Sequence, residues 1–250
     1  MIDIIRKYSP QPIKNIVKYI WHCLNWDKFL IFSWSQEGED LILKRLLNEN
    51  IESPGFYIDI GAHHPKRFSN TYAFYKKGWY GINIDAMPGS MELFNRQRPR
   101  DINLEVPIAV EQKQLTYFQF NEPALNTFSK ELATSRDGLR TYKIVSTQEI
   151  QAFPLKSILN QHIDPGQSID FMSIDVEGLD LEVIQSNDWS QYRPKVILIE
   201  LLERSLNSID QDPIYLFLKD KKYYLYAKTV NTAFFISDEF LGQYMAQRQK

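Results

Sequence analysis

Short apolar runs and segments with helical spacing alternate along most of the chain. The runs that predict strands are residues 55–60, 80–85, 104–110, 115–120, 171–175, 195–202, 223–226 and 233–236. The segments that predict helices are residues 39–48, 70–77, 91–96, 179–186 and 213–219. Strands that alternate with helices indicate an α/β fold with a mainly parallel sheet, and the last two strands predict an antiparallel hairpin at its edge.

The first 34 residues follow a different pattern. Five apolar residues fall at helical spacing among basic ones, which predicts an amphipathic helix. Neither a signal peptide with its cleavage site nor a run of about 20 apolar residues is present. We therefore expect an N-terminal amphipathic arm over residues 1–34 and one domain over residues 35–250. A homodimer contact and a peripheral membrane contact would both suit the arm, and the sequence leaves them open.

Composition narrows the class of protein. With 250 residues, 44% of them hydrophobic, the chain is long enough to bury a full core. Its 29 basic and 31 acidic residues give a net charge of −2, which argues against a protein built to bind nucleic acid. The single cysteine, Cys23, has no partner for an internal disulfide, so we expect a cytoplasmic protein. Aromatic residues make up 14% of the chain and offer stacking surfaces for ligands such as sugars.

Acidic residues follow or end four of the predicted strands. They are Asp59, Asp85, Asp175 and Glu200. In open parallel sheets, ligands bind beyond the carboxyl ends of the strands, near the point where the strand order reverses. Carboxylates are costly there unless a ligand, a metal or hydrogen bonds satisfy them. We therefore expect the functional site at this edge of the sheet.

The first two strand ends predict a nucleoside site. Gly61 lets the backbone approach a ligand closely, and Asp85 can accept hydrogen bonds from both ribose hydroxyls. Residues 61–65 read Gly-Ala-His-His-Pro, so the three glycines that cradle a pyrophosphate are missing, and Pro65 removes an amide donor. The loop therefore favours an adenosyl cofactor over NAD. A nucleotide-sugar oxidoreductase or epimerase and a non-catalytic nucleoside-binding module remain as alternatives.

Asp175 and Glu177 allow two interpretations. In one, a carboxylate caps the helix that follows Gly178. In the other, a carboxylate acts as a general base or holds a divalent cation, and Glu200 from the next strand approaches the same site. His63 and His64 are further base candidates, because imidazole titrates near neutral pH.

Five motifs occur in a fixed order along residues 35–203. They are Ser35-Gln36-Glu37-Gly38-Glu39-Asp40, Phe56-Tyr57-Ile58-Asp59-Ile60-Gly61-Ala62, Phe68-Ser69-Asn70-Thr71-Tyr72, Gly78-Trp79-Tyr80-Gly81-Ile82-Asn83-Ile84-Asp85 and Ile174-Asp175-Val176-Glu177-Gly178. With these motifs the chain resembles the FkbM-type family of S-adenosylmethionine-dependent methyltransferases. The resemblance implies a Rossmann-like class I methyltransferase sheet of seven strands, mainly parallel, with an antiparallel edge hairpin and helices on both faces.

The resemblance also implies where S-adenosylmethionine (SAM) lies. Its methionine part would run along the loop after the first strand, Asp85 would bind the ribose, and Ala109-Val110 would lie near the adenine edge. Many family members carry an asparagine and a second glycine where this chain has His63 and His64. The expected cofactor contacts are Ser35, Gln36, Asp59, Gly61, Ala62, His63, Asp85, Ala86, Ala109, Val110 and Asp175.

Acceptors in this family are hydroxyl groups of sugars, polysaccharides and natural products. We therefore expect an O-methyltransferase that acts on a sugar, a glycan or a glycosylated precursor, as in polysaccharide biosynthesis. Our candidates for the catalytic group are, in order, Asp175, Glu177, His64 and Glu200. If a divalent metal such as Mg²⁺ takes part, Asp175 and Glu200 would hold it.

Overall fold

The computed structural model describes residues 15, 30–47, 54–202 and 205–248. The strands are β1 Phe56–Ile60, β2 Tyr80–Asp85, β3 Ile102–Glu105, β4 Lys113–Phe120, β5 Ile144–Ala152, β6 Phe171–Ile174, β7 Val196–Glu200, β8 Tyr223–Lys228 and β9 Thr232–Ser237. The α-helices are α1 Glu39–Leu46, α2 Tyr72–Tyr75, α3 Met91–Gln97, α4 Lys130–Arg136, α5 Leu155–His162, α6 Asp180–Gln185, α7 Pro213–Asp220 and α8 Asp238–Arg248. These elements belong to one unit, Ser33–Lys250. The amphipathic helix predicted for the arm lies outside the described residues.

Seven strands form one sheet in the order β3-β2-β1-β6-β7-β9-β8. The first five pair in parallel, whereas β9 is antiparallel to both β7 and β8. The predicted α/β fold with a mainly parallel sheet and an antiparallel edge hairpin is therefore confirmed. Strand order reverses between β1 and β6, which places a crevice beyond their carboxyl ends.

Helices cover both faces of the sheet, and this explains why β1 is a continuous apolar run. Ile58 belongs to a buried cluster that includes residues of α5 and α6, and its neighbour Tyr57 belongs to a second cluster with residues of α1 and α2. Successive side chains of a strand point to opposite faces, so a strand with two covered faces must be apolar throughout. Within the described part of the chain, no helix is long and apolar enough to cross a bilayer.

The structure corrects the prediction after β2. Strand β3 ends at Glu105, not at residue 110, and the chain then crosses the carboxyl ends of the sheet. Val106 still donates a backbone hydrogen bond to Asp85, but Pro107 has no amide to continue the pairing. The irregular segment 106–110 therefore becomes available to line the crevice.

A two-stranded antiparallel ribbon of β4 and β5 stands apart from the main sheet, with α4 in the connection between them. The sequence pattern predicts β4 but not β5, α4, α5 or α8. Most of β5 is exposed and polar, with Glu149 and Gln151 among its residues, so its sequence lacks the apolar alternation of a half-buried strand. The ribbon nevertheless contributes one wall of the site.

Candidate active site

A cleft of about 540 Å³ opens at the carboxyl ends of β1, β2 and β6. One wall consists of the loops that follow these strands. The opposite wall consists of residues 106–108, part of the ribbon and the segment 122–128, and residues 67–70 form a further part of the lining. The cleft thus lies where the topology of the sheet predicts a ligand site.

Gly61 brings the ends of β1 and β6 together. Its φ of 80° lies in the left-handed region, and its amide donates a hydrogen bond to the Ile84 carbonyl at 2.9 Å. A Cβ at this position would overlap the backbone carbonyl of Asp175. Only glycine meets both demands, so the loop after β1 can lie directly against the turn after β6.

Asp85 joins the loops that follow β1 and β2. One carboxylate oxygen accepts from the backbone N–H of His63 and the other from that of Met87, both at 2.8 Å. Each carboxylate oxygen can accept more than one hydrogen bond, so Asp85 can still accept bonds from a ribose while it holds the two loops. Asp85 lines the cleft, as the prediction of ribose binding requires.

A buried hydrogen-bond network supports Asp59 at the floor of the cleft. Arg98 is fully buried, and its guanidinium donates to Asp101 at 2.8 Å, to the Tyr57 hydroxyl at 2.6 Å and to Thr71 Oγ1 at 2.9 Å. Thr71 in turn donates to Asp59 at 2.7 Å. Burial raises the pKa of Asp59, and the charge of Arg98 opposes this effect. The sequence analysis missed Arg98, because a single arginine near the end of a short helix resembles a surface residue.

Four carboxylates meet where β6 and β7 end. They are Asp175, Glu177, Asp180 and Glu200. Burial, followed by the charges of Asp180 and Glu177, raises the pKa of Asp175 to about 7. Burial and the charge of Asp175 raise the pKa of Glu200 to about 8, and burial raises that of Asp180 to about 6. The cluster therefore holds protons near neutral pH, where isolated carboxyl groups would be ionised.

Asp175 is accessible to a ligand although its charge is poorly solvated. Its side chain is exposed to the cleft, but surrounding protein atoms displace most of the water that would stabilise the carboxylate. A carboxyl group that is open to a substrate and has a pKa near 7 has the properties of a general base at neutral pH.

The turn after β6 fixes the direction of Glu177. This residue has a φ of 54°, which is uncommon outside glycine, and its carboxylate bonds Arg136 at 3.0 Å. Asp180 holds the turn, because its carboxylate accepts from the amides of Val176 and Gly178, both at 3.2 Å. Asp180 therefore makes the side-chain hydrogen bonds that hold this turn. Both Asp175 and Glu177 line the cleft.

The two adjacent histidines have different environments. His63 is exposed and lines the cleft. His64 lies outside the lining, and its Nδ1 accepts from the amides of Lys66 and Arg67 at 3.0 and 2.9 Å. Nδ1 must be unprotonated to accept these bonds, and burial lowers the pKa of the ring. The structure therefore corrects our choice of His64 as a base: it organises the turn over residues 64–67.

Four further predicted site residues lie outside the cleft lining. Ser35 exchanges hydrogen bonds with Asp40 at the start of α1. Ala109 is fully buried, and Val110 is exposed beyond it, so residues 106–108 take the place that we expected for Ala109-Val110. Glu200 ends β7, next to β6, but does not line the cleft. The other predicted contacts do line it, namely Gln36, Asp59, Gly61, Ala62, His63, Asp85, Ala86 and Asp175.

The ribbon wall contains a buried polar group that the sequence analysis missed. Tyr117 is 4% exposed and lines the cleft, and within the described residues its hydroxyl makes no hydrogen bond of good geometry. Burial and the charge of Asp85 raise its pKa to about 12, and a weak hydrogen bond with the Asn126 side chain opposes this shift. Asn126 itself bonds the Phe120 amide and Met87 Sδ. A neutral hydroxyl near Asp85 is therefore left to bond a ligand.

The donor groups do not fit a resident metal ion. Asp175 and Glu200 come from adjacent strands, but the described residues contain no group of three or more His, Cys, Asp or Glu side chains placed to hold a metal. The suggestion of a magnesium site therefore has no support from this geometry.

A comparison with known proteins identifies one family whose sequence model matches this chain. The sequence model described as the methyltransferase FkbM domain matches residues 59–225. No curated protein matches the sequence significantly. One solved structure, precorrin-6y C5,15-methyltransferase from Geobacter metallireducens GS-15, is 12% identical over 84% of this chain and 93% of its own, with a TM-score of 0.41. Another, the Burkholderia thailandensis 1,6-didemethyltoxoflavin-N1-methyltransferase with bound S-adenosylhomocysteine, is 11% identical over 86% of this chain and 68% of its own, with a TM-score of 0.31.

Proposed function

Because this chain belongs to the FkbM methyltransferase domain family and is a SAM-dependent methyltransferase, we propose that it methylates a hydroxyl oxygen of a sugar, a glycan or a glycosylated precursor. The observation that carries this proposal is Asp175. Its carboxyl group is open to the cleft and has a pKa of about 7, and its backbone carbonyl lies against Gly61. A sugar hydroxyl is a weak acid, so its methylation needs a base of this kind beside the methyl donor.

In this proposal the cofactor lies across the crevice between β1 and β6. Asp85 accepts hydrogen bonds from the ribose, and Gly61 and Ala62 line the methionine part. Residues 106–108 and the Tyr117 hydroxyl contact the adenosine from the ribbon side. The acidic lining supports this placement, because carboxylates near the sulfonium and the amino group favour the positive charges of SAM.

The protein has few tasks in the reaction itself. When bound, SAM supplies a methyl group already activated by the sulfonium. Asp175 accepts the hydroxyl proton as the acceptor oxygen bonds to the methyl carbon and the carbon–sulfur bond breaks. The products are a methyl ether and S-adenosylhomocysteine (SAH), and the proton stays on the Asp175 carboxyl. Glu177, fixed by Arg136, orients the acceptor by accepting a second hydroxyl bond. Burial and the charge of Asp175 raise the pKa of Glu200, which favours a neutral Glu200 carboxyl beside an ionised Asp175.

A test of the proposal measures SAH release and methyl ether formation by the full chain. The acceptors are monosaccharides, nucleotide sugars and polysaccharide fragments, each assayed with EDTA and with Mg²⁺. We expect a methyl ether on at least one sugar acceptor, formed equally in EDTA, because the donor set does not fit a metal. Transfer only to amine acceptors would contradict O-methylation, and transfer only with Mg²⁺ would contradict the metal-free mechanism. Binding of NADH in place of SAM would favour the oxidoreductase alternative, and SAM binding without transfer to any acceptor would favour a binding module.

A further inference from the structure

Two adjacent residues at the rim of the cleft have an unusual combination of properties. Arg67 and Phe68 are both exposed and both line the cleft, and the Arg67 guanidinium lies 4.5 Å from the centre of the Phe68 ring. Phe68 has a φ of 57° and is 48% exposed. A bulky residue in the left-handed region is a strained outlier, and such residues concentrate at ligand sites. Burial in the core does not account for the strain, because about half of the residue's surface is exposed.

The backbone holds this pair in place from both sides. His64 Nδ1 accepts from the Arg67 amide at 2.9 Å, and the amide of Ser69 donates to the Trp34 carbonyl at 3.1 Å. Ser69 is buried and bonds Thr71, the residue that supports Asp59. Arg67 and Phe68 are therefore exposed side chains on a fixed backbone, which is what a preformed recognition surface requires.

Arg67 also stands out by charge. Among the described residues it is the one lysine or arginine that lines the cleft, and no ion pair forms between it and an acidic side chain. Arg136, the cation beside the carboxylate cluster, is paired with Glu177. The acidic residues of the lining are Asp59, Asp85, Glu122, Asp175 and Glu177. A guanidinium fork without an acidic partner at the entrance of the cleft fits an oxyanion carried by the incoming ligand.

We propose that Arg67 and Phe68 select an acceptor that carries a carboxylate or a phosphate beside the sugar that is methylated. Arg67 binds the anionic group, and Phe68 stacks on the apolar face of the sugar. This inference rests on the proposed function and adds a substrate class to it. We assign the pair to the acceptor because both side chains are exposed at the opening, whereas the expected cofactor contacts Asp59 and Ala62 are buried, and the comparison of SAH with 5′-methylthioadenosine below tests this assignment.

The first experiment measures binding by calorimetry in saturating SAH. The probes are glucose, glucuronic acid and glucose 6-phosphate, which differ in charge and in the source of the oxyanion. Wild type should bind at least one anionic probe tenfold or more tightly than glucose, as expected for a charged hydrogen bond. Arg67→Gln should remove that preference, and Phe68→Ala should weaken binding of every sugar that binds. Arg96→Gln removes an exposed arginine outside the cleft lining and should leave the preference intact.

Equal affinity of wild type for the three probes would overturn the inference, and so would a preference that survives in Arg67→Gln. The same variant must also be titrated with SAH and with 5′-methylthioadenosine, which lacks the carboxylate. If it weakens SAH binding tenfold without affecting methylthioadenosine, Arg67 binds the cofactor's carboxylate, and the inference falls.

Transfer assays separate this inference from the proposed function. If anionic and neutral sugars alike are methylated at equal rates by wild type and Arg67→Gln, the proposed function holds and the inference fails. If anionic sugars bind through Arg67 but no methyl ether forms on any sugar, the recognition of anions holds and hydroxyl transfer fails. We expect anionic acceptors to be methylated, with a drop of at least tenfold in kcat/KM for Arg67→Gln on these acceptors.

Discussion

Two groups of buried charges at the same sheet differ in whether the protein satisfies them. In the network around Arg98, the guanidinium and the Asp101 carboxylate bond each other at 2.8 Å, and Tyr57 and Asn83 donate further hydrogen bonds to Asp101. In the cluster around Asp175, four carboxylates share one arginine, and two of them have pKa values of about 7 and 8. In the first group the opposite charges are paired without a ligand, whereas in the second the carboxylates outnumber the cations.

This difference distinguishes buried charges that stabilise the fold from carboxyl groups that can take part in a reaction. A paired buried charge stabilises the fold because removing its partner leaves an uncompensated charge. A carboxyl group that lacks a cation and faces a cleft can instead take up or release a proton at neutral pH. Each of the following predictions would contradict this distinction if it failed.

Replacement of the proposed base should have the largest effect. Asp175→Asn keeps the shape of the side chain but removes the proton acceptor, so kcat should fall by about 10²–10⁴-fold. Its stability should rise, because the variant no longer has to ionise a carboxyl group among other carboxylates. Turnover and thermal unfolding measure the two effects, and Asp164→Asn, an exposed position, serves as the control. A loss of both activity and stability would instead mean that Asp175 stabilises the fold, as Arg98 and Asp101 do.

Removal of Arg98 from the paired network should lower stability, whereas Asp175→Asn should raise it. Arg98→Met leaves Asp101 buried without its cation and should reduce the free energy of unfolding by about 3–5 kcal/mol. Arg96→Met on the same helix changes an exposed arginine and should alter stability by less than about 0.5 kcal/mol. Urea unfolding of both variants gives the comparison. Similar values for the two would mean that the buried network contributes nothing beyond a surface charge.

The sheet could be predicted because burial on both faces leaves a strong pattern in the sequence. Strand β2 and the core of β1 occur where the apolar runs place them, and the acidic strand ends Asp85 and Asp175 do meet at one cleft. These positions follow from strand length and from the rule that parallel strands end at the same edge. Little tertiary information is needed for either step.

The remaining parts of the site depend on strand pairing and on side-chain hydrogen bonds that leave no apolar pattern in the sequence. Tyr117 faces the cleft only because β5, an exposed polar strand, pairs with β4. Arg98 becomes buried only because Asp101, Tyr57 and Thr71 surround it. His64 resembled a catalytic base in the sequence, but its Nδ1 bonds two amides close to it in the chain. Local periodicity contains no signal for these partnerships.

Asp85 combines a structural role with a proposed ligand-binding role, so its replacement tests whether the two roles can be separated. Its two oxygens hold the amides of His63 and Met87, and the same carboxylate is our proposed ribose acceptor. Asp85→Ala should therefore weaken SAH binding by about 1–3 kcal/mol and also lower the melting temperature. Calorimetry and thermal unfolding measure the two effects, with Asp164→Ala as the exposed control. A melting temperature that falls with unchanged SAH affinity would make Asp85 purely structural.

The pH dependence of turnover tests the ionisation of the cluster. Asp175 has a pKa of about 7, raised by burial and by Asp180 and Glu177, and it acts as a base only when ionised. The rate should therefore increase about tenfold from pH 6 to pH 8 as the ionised fraction rises. Folding stability should change in the other direction: the carboxyl is protonated in the folded state up to about pH 7 but ionises near pH 4 when unfolded, so stability declines between these values. A flat rate profile over this range would exclude Asp175 as the base.

Two buried tyrosines extend the comparison to neutral groups, where the smallest effects are expected. Among the described residues the hydroxyl of Tyr117 makes no hydrogen bond of good geometry and only a weak one with Asn126, whereas that of Tyr223 donates to the Pro194 carbonyl at 2.7 Å. Tyr117→Phe should weaken SAH binding by about 0.5–1.5 kcal/mol and leave stability unchanged or slightly higher. Tyr223→Phe should reduce stability by about 1 kcal/mol without affecting SAH binding, because it leaves a buried carbonyl unpaired. Should Tyr117→Phe lower stability and leave SAH affinity unchanged, an unsatisfied polar group at this cleft would not identify a ligand contact.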